Sequence, residues 1–143
     1  MKHINVLAAA VVLSMSFATS NVIAAEAHAA KEKVVLQVSD ADPAKWNLAL
    51  NNVKNVQQAL GADKVEAEIV VYGPGIGMLK SDSVVANRVE EAKAAGVTIV
   101  ACGTTMKGMK LTDADMLPKT SYVPAGVVEI MKKEKDGYAY IRP

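Results

Sequence analysis

Short β-branched runs alternate with helically spaced segments along this chain, and that alternation limits the folds open to it. Val34-Val35-Leu36-Gln37-Val38-Ser39 lacks a helical period and reads as a buried strand. Asp40-Ala41-Asp42-Pro43 then reads as a turn and helix start. Trp46, Ala49, Leu50, Val53, Val56 and Leu60 keep helical spacing from Ala44 to Leu60, and Gly61 stops the helix. Val65 to Tyr72 is a second strand, followed by the glycine-rich loop Gly73-Pro74-Gly75-Ile76-Gly77. Ser81 or Asp82 caps a helix that runs to Ala95, and Val97 to Cys102 is the third strand. Thr104 to Lys110 reads as a short helix, and Thr112 caps a turn through Asp115 that Pro118 ends. Ser121-Tyr122-Val123 is a short strand, Pro124 opens a helix through about Lys135, and Tyr138 to Ile141 is the last strand. The alternation predicts one α/β domain with a mostly parallel sheet and helices on both faces.

The two ends of the chain divide differently. Lys2 and His3, the apolar stretch from Ile4 to Phe17, and small residues up to Ala24 and Ala25 follow the plan of a signal peptide over residues 1–25. The apolar stretch is shorter than the ~20 residues of a spanning helix, and serines, a threonine and an asparagine interrupt it. Residues 26–33 read as a flexible lead-in, and 34–143 as a single domain. The expected location is the periplasm, after cleavage, with no membrane anchor retained. The formal net charge is +1 with no basic block, which gives nucleic-acid binding little support. Both histidines, His3 and His28, lie ahead of the domain. A Cys-His or Ser-His-Asp arrangement within the domain is thereby excluded, and a transition-metal site or other cofactor is not expected.

Cys102 is the only cysteine, so it cannot close an internal disulfide. In an oxidising compartment it must be sealed in the core or kept for its reactivity. It stands between a strand end and the Gly103-Thr104-Thr105 turn, where a helix start would favour the thiolate, and Lys107 and Lys110 would add positive potential. A buried, inert core cysteine is the alternative. Asp40, the Gly73 loop and Cys102 each follow a strand, so parallel strands gather them on one edge of the sheet, where such folds bind ligands. Asp40, Gly73, Gly75, Gly103, Thr104 and Thr105 are the crevice residues expected to meet a ligand or anion there. The simpler role for the glycine loop is a tight turn. Ile76, Met78 and Leu79, apolar in a loop, and Asn52 and Asn55 on the first helix are candidates for a subunit interface. Trp46 is most simply a core residue.

An ordered series of motifs then carries a resemblance. Asp42-Pro43 with Trp46-Asn47, Ala49-Leu50, Asn52 and Asn55 comes first, followed by Tyr72-Gly73-Pro74-Gly75 and Ala101-Cys102-Gly103 with Thr105-Met106. Val123-Pro124-Ala125-Gly126-Val127 and Gly137-Tyr138-Ala139-Tyr140-Ile141 with Pro143 complete it. Together they resemble the DsrE/DsrF-like family of sulfur-relay proteins, and its exported branch most closely. The resemblance implies a five-stranded parallel sheet in three α/β/α layers and a homo-oligomer, a trimer or hexamer. It also implies that Cys102 carries sulfane sulfur as a persulfide, received from and passed to a small sulfur compound or a partner protein. The competing reading is a non-catalytic oligomeric module that binds a small ligand, with Cys102 as packing.

Overall fold

The computed structural model describes residues 30–143. Strands β1 (Glu32–Val38), β2 (Val65–Val71), β3 (Thr98–Cys102), β4 (Ser121–Val123) and β5 (Ala139–Ile141) form one sheet in the order β4-β3-β2-β1-β5. Every neighbouring pair is parallel. Helices α1 (Pro43–Leu60), α2 (Ala86–Ala94), α3 (Gly103–Gly108) and α4 (Gly126–Lys135) connect the strands. This is the expected five-stranded three-layer α/β architecture. The expected signal peptide and half of the lead-in, residues 26–29, lie outside the described residues, and β1 begins two residues earlier than the sequence pattern suggests, at Glu32.

Connection handedness decides which face each helix covers. The first three crossovers step from β1 toward β4, so right-handed connections place α1, α2 and α3 on one face. The fourth runs back from β4 to β5 on the opposite edge, which sends α4 to the other face. The cores agree. Leu36, Ile69, Val71 and Ala101 point to the α1 face and pack with Trp46, Leu50, Val53, Val89 and Met106. Val35, Val70 and Val100 point to the α4 face and pack with Ile130 and Tyr138.

Local chemistry sets the element ends. The Asp42 carboxylate caps α1 by accepting the Ala44 N–H at 2.8 Å, and Pro43 supplies the first helical residue. The Trp46 indole donates to the Asp40 carbonyl at 2.7 Å, which satisfies its one polar atom inside the core. The helix expected from Ser81 or Asp82 starts later, at Ala86, because the Asp82 carboxylate faces Lys80 and the intervening residues form turns.

The glycine-rich segment is a 3-10 stretch over Gly73–Leu79, folded inward. A Cβ on Gly75 would stand 2.5 Å from the Val38 carbonyl oxygen, so only glycine allows this approach to β1. Ile76, Met78 and Leu79 are consequently buried in the main core. That corrects their expected role as an exposed interface: their apolar surface is consumed within the subunit. Large exposed apolar side chains include Val127, Val128 and Met131 on α4, with Leu48 and Leu60 on α1 and Val84 ahead of α2.

Candidate functional site

The chain leaves β3 toward the α1 face and β4 toward the α4 face, and β3 and β4 are neighbours. Their carboxyl ends therefore form the topological switch point, where open α/β sheets open a crevice. Cys102 is the last residue of β3 and lies at that point. Its side chain shares parity with Val100 and so belongs to the α4 face.

Two backbone amides converge on its sulfur. The Thr105 N–H donates to Sγ at 3.4 Å, so Cys102 itself caps α3. The Gly126 N–H, first in α4, donates at 3.2 Å. Glycine suits this position, because a Cβ there would crowd Tyr72 Cβ at 3.1 Å and Val70 Cγ1 at 3.2 Å. Thr105 has a second task, because its hydroxyl accepts the Gly73 N–H at 2.9 Å and is thereby held beside the sulfur. Burial works against the thiolate, yet the Thr105 hydroxyl and the amides of Gly126, Thr105 and Thr104 outweigh it. They hold the thiol below its ordinary value of 9.0. The residue is only 5% exposed, so this acidified thiol is also a buried one.

The other expected site residues divide. Gly103 and Thr104 adjoin Cys102, and Thr104 ties α3 to the β4–α4 turn through its N–H and hydroxyl, both donated to the Pro124 carbonyl at 3.1 and 3.0 Å. Gly73 and Gly75 do not offer the amides expected for an anion. Gly73 donates to Thr105, and Gly75 donates to the Ser39 and Tyr72 carbonyls at 3.1 and 3.2 Å. Asp40 follows β1, two strands from β3, and pairs with Lys45 at 3.1 Å and Arg142 at 3.9 Å. Lys107 and Lys110 are exposed at or beyond the far end of α3. Asn52 and Asn55 make no side-chain hydrogen bond among the described residues. It is Asn47 and Asn51 that accept from Arg88 and join α1 to α2.

The residue that sequence reasoning passed over is Gly126. It stands just after Pro124, at a helix start, but only the strand order places that start against Cys102. Ser39 and Tyr72 were also missed as neighbours of the site. The parallel register, with Val38 opposite Val71 and Val71 opposite Ala101, sets Ser39, Tyr72 and Cys102 level on adjacent strand ends.

Comparison with known proteins bears on the whole domain. No curated protein matches the chain. Among solved structures, a protein of unknown function from Methanobacterium thermoautotrophicum is similar, with a TM-score of 0.75 and 31% identity over 79% of this chain and 100% of that one. The model of the DsrE/DsrF-like family matches residues 32–143, from the first residue of β1 to the end of the chain. Fold, motif series and family match agree, and the chain belongs to the DsrE/DsrF-like family.

Proposed function

We propose that this protein is a sulfur carrier that holds sulfane sulfur as a persulfide on Cys102. The observation that carries this reading is the convergence of the Thr105 and Gly126 amides on one sulfur, at 3.4 and 3.2 Å. Such donors stabilise a thiolate, the nucleophile needed to take sulfur from a donor. A thiolate needs no general base to attack, which suits a domain without histidine. The burial of Cys102 favours the alternative, a non-catalytic binding module with the cysteine as packing.

Intact mass after incubation with inorganic polysulfide separates the two. A gain of one sulfur, ~32 Da, in the wild type and none in Cys102→Ser is the expected result. No gain in either leaves the packing reading standing. The same spectrum of natively produced protein reads the mature N-terminus, which tests the proposed export through cleavage near residue 25.

The carrier is further proposed to be a homo-oligomer, trimeric or hexameric, closed over the exposed Val127, Val128 and Met131 face of α4. Light scattering at micromolar concentration should give a multiple of the subunit mass, and a monomer mass would refute this.

A further inference from the structure

The sheet lip beside Cys102 carries polar groups that the sulfur chemistry itself does not use. On the α4 face, beyond the start of α4, Ser39 and Tyr72 stand level with Cys102, and Gln37 lies one pleat back on β1. Two of them form a chain with Tyr140. Tyr140 donates its hydroxyl to Gln37 Oε1, and Gln37 Nε2 donates to Ser39 Oγ at 2.9 Å. The half-buried Tyr72 phenol makes no hydrogen bond of its own among the described residues, so its O–H can donate outward. The lip ends in charge of both signs: Asp40, with Arg142 at 3.9 Å and Lys45 at 3.1 Å. Arg142 keeps 57% of its side chain exposed, with guanidinium donors to spare.

We propose that this lip seats the polar body of the sulfur donor, and that the donor is the persulfide of a peptide-sized aminothiol rather than an inorganic sulfur anion. This rests on the carrier reading above. A free carboxylate of the donor is met by Arg142, its ammonium group by Asp40, and an amide or carboxyl oxygen by the Tyr72 phenol. The length also selects. Asp40 follows a strand two places from β3, about 10 Å at the usual strand spacing. Two to three extended residues cover about 7–10 Å, whereas a single amino acid falls short.

The transfer balances without a further oxidant. The Cys102 thiolate attacks the outer sulfur of R–S–SH, the new S–S bond forms, and the old one breaks. Its electron pair leaves with the inner sulfur as R–S⁻. The proton stays on the transferred sulfur, giving Cys102–S–SH.

The test compares loading rates by intact mass from glutathione persulfide and from inorganic tetrasulfide. The proteins are wild type, Arg142→Gln and Tyr72→Phe. Phe keeps the ring beneath Gly126, and Arg142 is a surface residue, so both variants should fold. Each variant should load about fivefold more slowly from glutathione persulfide, the worth of one exposed ion pair or one neutral hydrogen bond. Loading from tetrasulfide should be unchanged. Wild-type rates from both donors in both variants would overturn the donor subsite and leave the carrier intact. Equal losses with both donors would also overturn it, since the lip would then serve the thiol and not the donor's body. If the wild type loads from neither donor, the carrier reading fails and this inference falls with it.

Discussion

The two faces of the sheet are built to different standards. On the α1 face a continuous core runs from Val34 through Leu36, Ile69, Met78 and Leu79 to Met116, with most of its members almost fully buried. On the α4 face a single helix covers Val35, Val70 and Val100, and only Ile130 and Tyr138 complete the cluster. That thin face also carries Glu68, buried and paired with Lys133 of α4 at 2.7 Å, and the sulfur of Cys102. Large apolar side chains contribute about 1.5–3 kcal/mol each when fully buried, so most of the stability resides on the α1 face. One face holds the domain together, and the other carries charge, a thiol and exposed apolar surface.

The largest effect is expected where the α1 face is broken. Ile69 is fully buried at the centre of β2, and Ile69→Ala should cost about 4 kcal/mol through lost transfer energy and the cavity left behind. Denaturant unfolding measures this directly. Val70, one residue on, faces α4, and Val70→Ala should cost less, about 2 kcal/mol, because it removes fewer atoms from a thinner layer. Equal losses from the two substitutions, once scaled for side-chain size, would remove the distinction between the faces.

The second test concerns charge on the α4 face. Burial pushes the Glu68 carboxyl above its ordinary 4.5 although Lys133 pulls it down, and Glu68 Oε1 has no hydrogen-bond partner among the described residues. Lys133→Met would leave that carboxylate buried alone, at a cost of about 3 kcal/mol near neutral pH. The sign follows from the raised folded value. Whatever Glu68 contributes to stability is present below 4.5 and lost as pH rises through its folded value. The Lys133→Met deficit should therefore shrink on acidification, as the carboxyl takes a proton. It should also shrink in the double variant Glu68→Gln/Lys133→Met. A deficit that persists unchanged at low pH and in the double variant would mean that Lys133 acts through its ammonium over the Tyr138 ring, 4.8 Å from the centroid, rather than through Glu68.

How much of this was legible in the sequence follows from the same contrast. Strand and helix periodicity exposes the elements, so the parallel sheet and the place of Cys102 at a strand end could be read from residues alone. Strand order leaves no local trace. Nothing near Pro124 announces that β4 lies beside β3, and so the Gly126 amide on the Cys102 sulfur was out of reach. The Ile76-Gly77-Met78-Leu79 segment misled for a related reason. An apolar loop looks the same in sequence whether it faces solvent or tucks into its own core, and the tuck depends on Gly75 approaching the Val38 backbone two elements away. Lys107 and Lys110 were near Cys102 in sequence, but a single short helix carries them away from it.

The smallest effect, and the most specific, is expected at Thr105. Its hydroxyl is one of the donors that hold the Cys102 thiol below 9.0, and it is itself fixed by the Gly73 N–H. Thr105→Val keeps the side-chain shape, removes that donor and strands the Gly73 amide, so stability should fall by about 1 kcal/mol. The more telling change is in titration. A thiol whose folded pKa is depressed adds stability as pH climbs through that folded value toward 9.0, and this contribution is lost as pH falls through it. Wild type should therefore gain stability relative to Thr105→Val as pH is raised across that window. The midpoint of Cys102 alkylation against pH should shift upward in the variant, while the amides of Thr105 and Gly126 remain on the sulfur and keep it partly acidified. A loss of stability without any movement of that midpoint would show that Thr105 merely braces the Gly73 turn, and that backbone amides alone set the acidity of the thiol.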